Sequence, residues 1–113
     1  QVSLASDNIR DAFHAYGDLD MLDAFRLGTR VGHLDHPAND WIVTATANPA
    51  RAMRMDDAGV LHAGSGADFI LFEGRSWSEI LSRSESGRIV VRDGTPIAAP
   101  LPSYSELDGL ADA

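Results

Sequence analysis

A mixed α/β fold is predicted, on three observations. Residues 2–8 (VSLASDN) read as a short buried strand that ends on a carboxylate, Asp7, with the amide Asn8 directly behind it. Helical patterning follows, as in a β/α unit. After residue 55 the period changes, and short apolar runs separated by turn chemistry read as an antiparallel hairpin system. A carboxylate at the carboxyl end of a buried parallel strand is where barrel enzymes place catalytic groups. The chain therefore reads as the tail of an enzyme, beginning just ahead of its last catalytic residue.

Taken in order, residues 2–5 are small and apolar, as a strand covered on both faces would be. Residues 8–17 form a loop carrying Asp11, Phe13, His14 and Tyr16. Asp20 caps a helix whose apolar face is Met21, Leu22 and Phe25, continued through Gly28, Thr29 and Gly32, and Asp23 suits the positive end of its dipole. Residues 33–39 (HLDHPAN) break it, with Pro37 as the stop. Asn39 caps a second helix through Trp41, Ile42 and Ala45, and Asn48 followed by Pro49 launches a third, to about Met55.

In the second half, residues 64–68 (GSGAD) are turn chemistry leading into a strand, Phe69–Phe72. Ser76 and Glu79 form a capping box for a short helix through Ile80 and Leu81. Residues 88–92 (RIVVR) are a strand, Asp93-Gly94 is a two-residue hairpin turn, and residues 95–98 return as an edge strand marked by Pro96. Pro100 and Pro102 lead into an acidic, mobile tail. The opening strand has no second β/α unit after it. Parallel strands need neighbours, so these are expected on polypeptide outside this sequence.

Composition narrows the function classes. With 44% hydrophobic and 23% charged residues the 113-residue chain is an ordinary globular sequence. Its formal charge of −8 argues against nucleic acid and anionic membranes as partners. All nine basic residues are arginine, and nothing physical explains that choice. Without cysteine, disulfides and thiolate metal sites are excluded. No run approaches the roughly 20 apolar residues of a membrane span, and no signal peptide precedes the first strand, so a cytoplasmic protein is expected.

Few residues carry chemistry by pattern alone. Strand-end Asp-Asn is also common turn chemistry, so spacing leaves Asp7 open between a turn residue and a catalytic one. His14, His33, His36 and His62 form no metal-ligand pattern. GSGAD is not a phosphate loop, since it lacks GK[ST] and leads into a strand, and Asp68 reads as a turn residue bonding backbone amides. Phe25, Trp41 and Trp77 read as core or interface anchors. One candidate stands, and no complete site.

The order VSLASDN, DAFHAYG, then DML opening a helix resembles the end of the barrel in cytosine-deaminase-type members of the amidohydrolase superfamily. TATANPARAMRM followed by GVLHAGSGADFILFE is similar to that superfamily's passage from its last helices into a small β-sandwich, and RIVVRDGTPIA to the closing hairpin. The resemblance implies residues 1–55 as the last strand, active-site loop and helices of a (β/α)8 barrel, and residues 56–113 as part of the sandwich with its tail. It implies a metal-dependent hydrolase acting on C–N bonds of a cyclic amidine or amino-heterocycle, cytosine-like or triazine-like. Asp7 would ligate a divalent metal (zinc or iron) and take the proton of the attacking water, whose pKa a cation lowers towards about 7. Asn8 stands where cytosine deaminases usually carry a second acidic residue; as both donor and acceptor it would read a ring with a different donor pattern. Phe13 would stack on that ring.

The other metal ligands would lie on the missing N-terminal barrel portion, the partner this chain needs, so the chain alone is expected to be inactive and to hold no catalytic metal by itself. Whether the full protein forms a homo-oligomer stays open. On this reading Leu4, Leu22 and Trp41 are exposed or covered by another chain. The alternative is a stand-alone, non-catalytic β-rich interaction module in which residues 2–5 pair within the chain and Asp7 is a solvated turn residue.

Overall fold

Helix α1 (Met21–Gly32) organises the molecule. The structure, a computed structural model, describes residues 1–7, 12–13, 15–17, 19–36, 38–83, 87–98, 100 and 102–111, with backbone alone at 38, 39, 107, 110 and 111. The Asp20 carboxylate caps α1 by accepting the Leu22 N–H at 2.9 Å. Leu22, Phe25 and Thr29 form the helix's buried stripe, spaced three and four residues apart. Leu22 is thus inside the chain rather than exposed or left for a partner, while Leu4 and Trp41 are half-buried. Pro37, expected as the stop, lies outside the described residues, and α1 has already ended before it. His33 turns left-handed (φ 54°), and its N–H and that of Leu34 both reach the Thr29 carbonyl.

The helix expected from Asn39 is split. Four residues of α2 (Ala38–Trp41) give way to a 3₁₀ turn, Ile42–Thr44. The hydroxyls of Thr44 and Thr46 bond back to the carbonyls of Trp41 (2.6 Å) and Ile42 (3.0 Å), competing with a regular helix. Asn39 falls within the first turn of α2 and not before it. Helix α3 (Ala47–Ala52) begins at Ala47, so Asn48 is inside it and does not cap it; Pro49 sits in the first turn, where no N–H is needed. Gly59 (φ 75°) then crosses over the start of α3, where a Cβ would lie 2.5 Å from the Thr46 carbonyl oxygen. Only glycine fits there.

Strands β1 (Phe69–Phe72), β2 (Arg88–Arg92) and β3 (Thr95–Pro96) form one antiparallel sheet in that order, with Phe69 opposite Val91 and Val91 opposite Pro96. Asp93 (φ 48°) and Gly94 (φ 73°) make the turn, and both left-handed conformations match a primed hairpin turn. Asp68 accepts the Asp93 N–H at 2.8 Å, so the residue read as a turn former holds this turn from across the sheet. The return strand stops at Pro96, two residues short of the expected 98, with one further ladder bond from Ile97 N–H to the Val90 carbonyl. Pro96 lies on the edge as expected. Between β1 and β2, α4 (Trp77–Ser82) is capped by Ser76, whose hydroxyl accepts the Glu79 N–H. Glu79 closes on the Arg75 N–H and guanidinium instead of completing the box on Ser76. In the acidic tail, a capping box of Ser103 and Glu106 starts a 3₁₀ turn, Tyr104–Leu107, that runs into α5 (Asp108–Ala111).

Residues 2–5 do not form the expected strand. A strand needs a row of backbone partners, and here the backbone N–H of Leu4 finds the Thr44 carbonyl (2.8 Å) while the Val2 carbonyl accepts from the Asn48 side chain (2.7 Å). The segment runs over the helical turns and stays apart from the sheet.

The core is thin. Leu22, Phe25, Ala50 and Val91 are its fully buried apolar residues among those described, with the Trp77 ring edge-on to Phe25 at 5.8 Å. The radius of gyration is 16.1 Å, against about 13 Å for a compact domain of this length. The accessible surface is 9025 Å², against about 6,000 Å² for a compact monomer.

Candidate active site

The opening segment delivers Asp7, the sequence's best candidate. Its first four residues are tied down at three points: the Leu4 and Val2 bonds above, and Gln1, whose side-chain amide donates to the Asn48 carbonyl at 3.1 Å. Leu4 packs on α1 so closely that a Cβ at Gly28 would come within 3.0 Å of its Cδ1. Thr44, the acceptor for Leu4, is itself 2% exposed and hydrogen-bonded. The anchor is therefore rigid. Beyond it the chain turns left-handed at Asp7 (φ 42°), a conformation Asp tolerates better than most residues, and the side chain is exposed.

Around Asp7 little else is drawn together. Asn8, Asp11 and His14 lie outside the described residues. Phe13 is 94% exposed and Tyr16 is 82% exposed, so neither walls a closed pocket here. Among the described residues no group of three or more His, Asp or Glu side chains could hold a metal ion. His62 closes a local turn with Ser65 and faces the Ala63 carbonyl. An exposed carboxylate can donate one ligand bond or accept one proton, but it cannot exclude water or fix a metal unaided.

The clefts lie elsewhere. One of about 780 Å³, mostly apolar, separates α1 from the sheet and is lined by Met21, Phe25, Ile42, Val60, Phe69 and Val91 among others; neither Asp7 nor Phe13 reaches it. A second, of about 610 Å³, lies between α1 and α4.

Asp20 is a residue whose full role the sequence reading missed. Its carboxylate also receives the Arg88 guanidinium, both oxygens at 2.9 Å, so the cap of α1 is tied to β2. Partial burial pushes its pKa up, but the Arg88 hydrogen bond, the Leu22 N–H and the Arg88 charge outweigh that, leaving it below the usual value. No local signal points from Asp20 to Arg88, 68 residues on. Among the described residues no helix is long and apolar enough to cross a membrane.

Residues 1–98 match the amidohydrolase family. The chain is 46% identical over 111 residues, 98% of its length, to the pterin deaminase of Rhizobium rhizogenes (strain K84 / ATCC BAA-868). It spans a quarter of that relative's length. No solved structure matches it.

Proposed function

The chain belongs to the amidohydrolase family, and from that premise we propose that it is the C-terminal part of a cytoplasmic, metal-dependent hydrolytic deaminase acting on an amino-heterocycle. The observation that carries this is the 46% identity, along nearly the whole chain, to a pterin deaminase. It moves the favoured substrate from a cytosine-like or triazine-like ring to a pterin, which also presents an exocyclic amine on a cyclic amidine. The stand-alone interaction module is not favoured, because the family match runs through both halves of the chain.

Within this reading residues 1–55 end a (β/α)8 barrel and residues 56–113 belong to a β-sandwich. Asp7 is a metal ligand and the proton acceptor, Asn8 contacts the heterocycle, and Phe13 stacks on it. The described residues do not fit a divalent metal by themselves, so the remaining ligands are assigned to the N-terminal portion. Two features support that division: Asp7 and Phe13 stand on open surface, and the chain exposes about half again the area of a compact monomer.

The test is ammonia release by the full-length protein from pterin, cytosine and an aminotriazine. Pterin is expected to be turned over fastest, with loss of activity on chelation. Turnover by the isolated 113-residue chain, or an Asp7→Asn protein as active as the parent, would refute the assignment.

A further inference from the structure

We propose that the cleft between α1 and α4 binds the phosphate group of a small molecule. One wall comes from α1, where Arg26, Thr29 and Arg30 face it; the other comes from Trp77 and Ser78 of α4. Residues Asp35 and His36 close one end.

The leading observation is Thr29. It is 2% exposed, and its Oγ1 is a buried side-chain oxygen with no hydrogen-bond partner among the described residues. A helical threonine ordinarily bonds its hydroxyl to a carbonyl one turn back. Leaving it unpaired in a buried position is disfavoured unless something else accepts its proton. An oxyanion in the cleft that Thr29 lines is an acceptor of that kind.

Charge is the second. The formal charge of the chain is −8, yet two guanidiniums and one carboxylate line this cleft, leaving it net positive with His36 neutral. Arg26 and Arg30 are four apart on α1 and so share a face. The flat, forked donor set of arginine matches phosphate oxygens better than it matches a single carbonyl. Asp35 limits the excess to one positive charge and so disfavours polyanions. Size points beyond bare phosphate. At about 610 Å³ the cleft is in the range of sites for small organic ligands, and Trp77 gives it a flat apolar wall. None of these residues belongs to the proposed deaminase site, so the two readings stand or fall separately.

Isothermal titration of the intact protein with phenyl phosphate, repeated with inorganic phosphate as competitor, tests the cleft. Saturable binding that inorganic phosphate displaces is expected. Arg30→Gln, at an exposed position, should weaken it about tenfold, and Thr29→Val by a similar factor, since each loses a hydrogen bond to a charged group. Deaminase turnover of both variants should match the parent. Absence of saturable binding by phenyl phosphate, or affinity unchanged in Arg30→Gln, would overturn the proposal even if Thr29→Val failed to fold.

Discussion

The opening segment and the hairpin half of this molecule hold their key carboxylates in opposite ways. Asp68 and Asp20 are bound into the structure they stabilise: one accepts a turn N–H, the other caps a helix and receives an arginine from the sheet. Asp7 follows a firmly anchored stretch, yet is left-handed, exposed and far from any set of ligands. A carboxylate used for folding is surrounded by donors from its own chain. One used for chemistry is held at its backbone and left open at its oxygens.

That contrast can be broken experimentally, and the largest effect belongs to Asp7. In the full-length protein, Asp7→Ala should lower kcat by about 10²–10⁴-fold or more, the range lost with a general base, while the circular-dichroism melting temperature stays within error. A stability loss matching that of Asp20 variants would erase the distinction. Phe25→Ala should do the reverse, costing about 3–5 kcal/mol in urea denaturation because a fully buried ring against Trp77 leaves a void. Gly59→Ala should cost about 2 kcal/mol, since the left-handed backbone and the Thr46 carbonyl both reject a Cβ.

Asp20→Ala should cost about 1–2 kcal/mol, combining a lost cap with a lost partly exposed ion pair. Its pH signature follows from a pKa lowered by folding. The Asp20 contribution is complete above the unfolded carboxylate pKa of about 4 and disappears as pH falls below that value. The gap between parent and Asp20→Asn in denaturation midpoint should therefore be flat from pH 7 to 5 and close below pH 4. The smallest effect is Asp68→Ala, about 1 kcal/mol for one turn hydrogen bond, read from the same titration.

What the sequence revealed and what it hid follow the same division. The Asp20 cap, the strand Phe69–Phe72, the Asp93-Gly94 turn and the Pro96 edge were legible because each depends on neighbours a few residues away. Residues 2–5 misread because an apolar run says nothing about whether a ladder partner exists. Asn48 misread because its side chain is taken by Val2, 46 residues earlier, and Leu22 because the helix face it shares with Phe25 closes on the chain itself. The hydroxyls that split the Asn39 helix act through their own local carbonyls, a competition that residue propensity does not rank. For the site, the position of Asp7 after a short apolar run was legible, as was family membership. Asn8 lies outside the described residues, and nothing local could announce ligands carried by another part of a protein.

Strand β1 carries a practical consequence. Its four residues, Phe69–Phe72, hold no charge, no proline and no bulge, Ile70 and Leu71 are about half exposed, and no described strand lies along its outer edge. Bare apolar edges of this kind recruit copies of themselves. Overproduced alone, the 113-residue chain should aggregate in a concentration-dependent way, and Leu71→Lys should keep it dispersed. Handling, and not catalysis, would then decide which boundaries make a usable sample.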